Sequence, residues 1–234
     1  MSDPVADVAR LTIHGREEYL RIVGSGDTAA VLLVPPLFGE ANRCRRLLAD
    51  VMAELAVLGR GSALPDLPGT GESLTPFAVA TLADWRAMVA ASAALLHVAT
   101  GRPAMIASFR GGALLDDAPE PADVAGRWRM TPVEGATVLR ELGRAQRMAA
   151  TSGAPISGPV FAGTALATGL AGPLAGALPA GAARVVRLAE DGKGADERLP
   201  GSPMWRRAEP GRDRAMAKAI AQDIDRMAAT CANS

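Results

Sequence analysis

The chain has 234 residues, of which 49% are hydrophobic but only 3% aromatic, so one large α/β domain can be filled mainly by Ala, Val, Leu and Met. Lys and Arg number 25 against 25 Asp and Glu, a balance without the basic excess of a nucleic-acid-binding protein. Two cysteines far apart, Cys44 and Cys231, and two isolated histidines, His14 and His97, give neither a disulfide framework nor metal-ligand spacing, and no cofactor is expected.

In chain order, residues 19–23 read as a short strand, and the apolar run 29–34 ends in Pro35-Pro36. An unalternating run stopped by prolines suits a strand covered on both faces, as in a parallel sheet. Residues 41–58 carry Leu47, Leu48, Val51, Met52 and Leu55 at helical spacing, with Arg43, Arg45 and Arg46 in the first turns. A brief strand at 62–67 leads into the Gly-rich loop 68–73, and a helix is expected at 81–100. That loop has Glu72 where a phosphate loop needs lysine, so a nucleotide role is not expected; Asp66 and Ser73 should bond local backbone instead.

The apolar segment 103–108 reads as a strand, followed at once by Gly111-Gly112 and a turn of helix. Residues 116–150 read as a Pro-rich connection, with Asp116-Asp117 in a solvated turn, and then a helix at 133–148. A small-residue helix at 164–178, a strand at 184–188, a loop at 190–194 and an amphipathic helix at 212–229 complete the chain. The uncharged stretch 151–183 is long enough to span a bilayer, but four prolines interrupt it and a buried segment is expected. The opening MSDPVADVAR has no basic start before an apolar run, so no signal peptide is read and a cytoplasmic location is expected. Alternating strands and helices predict a single α/β domain over 1–234, doubly wound around a mostly parallel sheet, with room for a small cap or insertion at 118–155. Its site would lie at the C-terminal ends of the strands. The oligomeric state is left open.

The segment Ala107-Ser108-Phe109-Arg110-Gly111-Gly112-Ala113 has the pattern of a nucleophile elbow, a strained strand-turn-helix with small residues two before and two after its tip. With Arg110 at the tip the flanks are Ser108 and Gly112, both small; with Ser108 at the tip they would be Ile106 and Arg110, both bulky. Arginine stays protonated and cannot be a nucleophile. In this type of site the acid and then the histidine follow the tip; Glu190 or Asp191 could stand as the acid, but both histidines lie upstream. Ser108, Glu190 and Asp191 are therefore weak catalytic candidates, and the Ser-His-Asp triad is read as absent.

Four segments, VLLVPPLFGEANRCRR, LPDLPGTGES, ASFRGGALL and RWRMTPVEGATVLRELGR, follow one another as in the exosortase A system-associated hydrolases of type 2, proteins of bacterial exopolysaccharide loci. The resemblance covers most of the chain, from Tyr19 to the Trp205 region, and its specific part is the elbow with arginine in place of serine. A region like Trp128 to Gly135 also belongs to the pattern, whereas Ser108 replaces the usual glycine and Pro35-Pro36-Leu37-Phe38-Gly39 is a variant first loop. The resemblance implies an α/β-hydrolase fold and a link to exopolysaccharide and exosortase systems.

Arg110 at a helix N-terminus, with its planar fork, suits an anion or acyl group. A ligand site is therefore expected from Arg110 and Gly111 with Leu37, Phe38, Asn42, Arg43 and Arg46 of the first loop and its continuation. The plainer account pairs Arg110 with an acid such as Asp66, Asp116 or Asp117 and leaves the other arginines solvated. An esterase-like enzyme with an unorthodox nucleophile, Ser108, Cys44 or a bound water, is the alternative. A scaffold for partner proteins at a membrane is a weaker third reading.

Overall fold

Two apolar segments without alternation make the centre of the molecule, because each is covered by helices on both faces. The computed structural model describes residues 6–24, 30–149, 160–161, 164–207 and 211–231. Its strands are β1 (Ala6–Ile13), β2 (Arg16–Val23), β3 (Val31–Val34), β4 (Ser62–Pro65), β5 (Ala104–Phe109), β6 (Val124–Met130), β7 (Val160–Phe161), β8 (Thr164–Ala165), β9 (Arg184–Leu188) and β10 (Glu197–Leu199). The helices are α1 (Gly39–Val57), α2 (Leu82–Thr100), α3 (Gly135–Ala149), α4 (Thr168–Gly176) and α5 (Arg214–Cys231).

Eight strands form one sheet in the order β1-β2-β4-β3-β5-β6-β9-β10. β2 runs antiparallel to both β1 and β4, and the remaining pairs are parallel. From β3 the chain winds out to β4, then crosses back through α2 to β5 and proceeds the other way. The winding reverses between β3 and β5, and the crevice beyond their C-terminal ends is where ligands bind in such sheets.

Side-chain alternation along the strands sorts the core into two layers. Val31 and Leu33 of β3 with Met105, Ala107 and Phe109 of β5 pack under α1 and α5. Leu32 and Val34 with Ala104 and Ile106 pack under α2, α4 and Val138 of α3. Thr81 caps α2 with a reciprocal box to Asp84, and Gly101 closes it in the left-handed conformation.

Several elements differ from the sequence expectation. Residues 6–13 form the edge strand β1, whose mixed polar and apolar residues gave no clear period. Residues 124–130, expected in a polar connection, are the central strand β6: Arg127 and Arg129 interrupt the apolar run because both bond buried oxygens of Asp116. The span 118–155 thus contains β6 and α3, and its residues 150–155 lie outside those described. The helix expected at 164–178 is shorter, since β8 occupies 164–165 and α4 begins at Thr168. Within 151–183, residues 151–159 are outside the described part, and no helix among the described residues is long and apolar enough to cross a membrane.

α5 is tied to the sheet by a buried acid. Asp223, 1% exposed, accepts from the indole of Trp128 at 2.8 Å, from Arg184 at 3.0 and 3.1 Å, and from Arg226 at 2.7 Å. Burial alone would lift this carboxyl, but the bonds from Arg184, Trp128 and Arg226 outweigh it and hold it below its ordinary value. An acid depressed in the fold stabilises while ionised and loses that contribution as pH falls through its folded value. Trp128→Phe should therefore cost about 1–3 kcal/mol at pH 7, and the deficit should shrink below about pH 4, measured by guanidinium unfolding at several pH values.

Candidate functional site

β5 delivers its last residue, Phe109, in extended conformation, and the next, Arg110, turns into left-handed backbone with φ +55. A short 3-10 helix, Arg110–Leu114, leaves the turn. The turn is so tight that a Cβ on Gly112 would stand 2.5 Å from the Pro35 carbonyl oxygen and 2.7 Å from that of Val34, so only glycine fits. A Cβ on Gly111 would meet Leu37 at 3.0 Å and Val138 at 3.1 Å, which places α3 and the first loop directly over the elbow.

The Arg110 side chain is 4% exposed and lies between two carboxylates. Its Nε donates to both oxygens of Glu40, at 3.3 and 3.2 Å, and its Nη2 donates to Glu40 at 3.0 Å and to Glu141 at 2.7 Å. The guanidinium carbon is 5.1 Å from the Trp205 ring centroid, a cation–π distance. Trp205 follows the last strand, and its carbonyl accepts from Arg43 Nη1 at 2.7 Å. The cation gains more from two acids than burial takes from it, so its pKa is raised. Glu40 shares that one cation: burial lifts its carboxyl above the ordinary value despite Arg110, and Glu141 pushes the same way.

The expected ligand residues divide into two groups. Arg110, Gly111, Leu37, Phe38 and Arg43 come together; Phe38 is buried with its ring edge-on to Trp85 at 5.5 Å. Asn42 and Arg46 lie on the exposed face of α1, where Arg46 pairs with Asp50 at 3.6 Å. The acids suggested as partners of Arg110 are engaged elsewhere. Asp66 accepts from the Glu72 N–H at 3.2 Å, within the Gly-rich loop. Asp117 pairs with Arg86 at 3.2 Å. Asp116 is not in a solvated turn: it is fully buried, with a two-pronged bond from Arg129 at 2.8 and 2.7 Å.

Ser108 donates to the same Asp116 at 2.5 Å and has no exposure, so its hydroxyl is a brace inside the sheet layer. Glu190 is exposed, and Asp191 accepts from Arg187 of β9 at 3.0 Å. His14 bonds Asp84 and His97 bonds Asp123, both at 2.7 Å. Cys44 sits one helical turn after Glu40, and burial, reinforced by that acid, pushes its thiol up to about 12. Sequence reasoning missed Glu40, Glu141 and Trp205. The one available signal was that a buried arginine demands acids.

No family model matches the chain, and no curated protein matches it. Among solved structures, a protein from Agrobacterium vitis S4 whose name calls it a hydrolase is similar over 98% of both chains, with TM-score 0.59 and 15% identity. The fold is that of the α/β hydrolases. An epoxide hydrolase from Vigna radiata is similar over 55% of this chain and 40% of its own, at TM-score 0.43 and 16% identity. A 2-hydroxy-6-oxo-6-phenylhexa-2,4-dienoate hydrolase from Rhodococcus sp. RHA1 is similar over 55% of this chain and 48% of its own, at TM-score 0.43 and 18% identity. The chain thus spans less than half the length of these two.

Removing the cation leaves two carboxylates facing each other across the turn of this hydrolase fold. Arg110→Ala should lose about 3–5 kcal/mol, with Glu141→Gln costing less than Glu40→Gln because Glu141 makes one bond and is more exposed; chemical denaturation measures all three. Cys44 in the native protein should resist iodoacetamide at pH 8 and react only after unfolding, as read by mass spectrometry.

Proposed function

We propose that this chain is a hydrolase-fold protein that binds an acyl-type small molecule without serine-type hydrolysis, in the exopolysaccharide and exosortase setting that its resemblance implies. The observation that carries the reading is the occupancy of the elbow tip. Arg110 stands where a nucleophile would be presented, and Glu40 and Glu141 hold its guanidinium. A general base within reach of a hydroxyl or thiol is what activates a nucleophile, and both histidines are bonded to acids elsewhere.

Charge favours the acyl over the anionic class of ligand expected here. Arg110 and Arg43 are matched by Glu40 and Glu141, so the cluster has no net positive field to draw an anion. A ligand carboxylate would have to displace Glu141, the more exposed of the two acids. A neutral acyl carbonyl needs only a donor, and the guanidinium keeps one edge unspent: Nη1 makes no hydrogen bond among the described residues.

The esterase alternative would rest on Ser108, Cys44 or a bound water. Ser108 is sealed against Asp116, and the Cys44 thiol is held protonated at neutral pH. Purified protein should give no turnover of p-nitrophenyl esters of any chain length and no labelling by a fluorophosphonate. Arg110→Ser should remain inactive as well, because it restores a hydroxyl without a histidine to relay its proton. Labelling of the wild-type protein that disappears in Ser108→Ala would overturn the reading.

A further inference from the structure

We infer that Thr131 and Trp205, with the unspent edge of Arg110, form a set of hydrogen-bond donors that receives the carbonyl oxygen of a neutral acyl ligand, an ester or amide. This rests on the acyl-binding reading above and specifies how such a ligand is recognised.

The first observation is backbone strain. Among the described residues, four non-glycines have positive φ, and three of them gather at this end of the sheet: Phe38 at 55, Arg110 at 55 and Thr131 at 48. They follow β3, β5 and β6, which are neighbours in the sheet. Left-handed backbone is a true outlier for a β-branched residue such as threonine, and strain of this kind collects at binding and catalytic sites. Phe109 pairs with Met130 across β5 and β6, so Arg110 and Thr131 are the next residues on adjacent strands. The Thr131 N–H is held by the Val186 carbonyl at 2.8 Å, which fixes the residue in place.

The second observation is independent of the first. The Thr131 hydroxyl and the Trp205 indole nitrogen are both buried and have no hydrogen-bond partner among the described residues. Their residues are 6% and 4% exposed. The other two tryptophans are satisfied, Trp85 by the Pro68 carbonyl at 2.9 Å and Trp128 by Asp223 at 2.8 Å. Buried polar groups are nearly always paired, so an orphan on the residue next to Arg110 and another on the ring against its guanidinium call for a partner, and one ligand atom would serve both. Thr131 adjoins Arg110 along the strand ends, and the Trp205 ring lies against its guanidinium.

The chemistry of these groups selects the ligand. An indole N–H and a guanidinium only donate, and a threonine hydroxyl can rotate to donate, so the partner is an acceptor. A third carboxylate beside Glu40 and Glu141 would be repelled, whereas a neutral carbonyl oxygen would not. Both orphan atoms are closed to solvent in this conformation, so entry of a ligand requires their cover to move aside.

The test is a ¹⁵N–¹H spectrum of the full chain, with the Trp205 indole assigned by Trp205→Phe. Titration uses N-butylacetamide as the carbonyl probe and dipropyl ether as the size-matched control, with thermal shifts on the same samples. The Trp205 indole proton should move downfield with the amide and not with the ether, while those of Trp85 and Trp128 stay. Trp205→Phe and Thr131→Val should each weaken amide binding about three- to tenfold. Both variants should melt no lower than wild type, because each replaces an unpaired polar group by an apolar one of similar shape.

Amide stabilisation with no movement of the Trp205 indole would overturn the donor set and leave the acyl-binding reading standing. No stabilisation and no movement would overturn both. A marked loss of melting temperature in either variant, or a Trp205 indole already downfield before any probe is added, would mean an internal partner such as a bound water, and would also overturn the inference.

Discussion

A cation at the tip of a turn too tight for any side chain at Gly112 sets the terms for this end of the molecule. Arg110 has to be neutralised where it stands, because moving a lone guanidinium out of water costs several kcal/mol. It draws Glu40 from α1 and Glu141 from α3 onto the elbow and rests its face on Trp205 beyond the last strand. Four segments distant in sequence therefore converge on one charge. The same contact holds α3 over the elbow, where Val138 and Leu37 close on Gly111. In a catalytic elbow the tip must stay accessible to a substrate and a base; here the Nε and Nη2 donors of the tip are taken by Glu40 and Glu141.

The other ionisable groups near the strand ends follow the same logic. Asp116 is fully buried yet receives Ser108 and both arms of the Arg129 fork. Asp223 is satisfied by an indole and two arginines. At Asp223 these donors outweigh burial and hold the carboxyl below its ordinary value. Both clusters look like catalytic constellations by residue type and behave as rivets. Arginine suits this use, since one planar fork can join two or three elements while keeping its charge at any accessible pH. Glu18 Oε2, Ser62 Oγ and Asp117 Oδ1 are likewise buried without a hydrogen-bond partner among the described residues; the Thr131 hydroxyl and the Trp205 indole are set apart by their place at the elbow.

Much of the architecture is legible in the sequence. The apolar runs leading into Pro35-Pro36 and Arg110 read as central strands because period and composition are local properties, and α1, α2 and α5 follow from helical spacing. The elbow register was also readable, since crowding admits only small residues beside the tip. β6 was hidden because its apolar period is broken by Arg127 and Arg129, whose partner Asp116 lies in a different segment. The edge strand β1 was hidden because one exposed face and an open edge impose little pattern.

What the sequence determined by itself is therefore the fold class, the turn with an arginine at its tip, and a histidine supply confined to positions upstream of it. What only the tertiary structure decided is the state of that arginine. Glu40 and Glu141 are two of 25 acidic residues, and nothing in their local context marks them as its partners. Pairing of charges from separate helices depends on how those helices cross the sheet, and that geometry is written in long-range packing rather than in any segment of the chain.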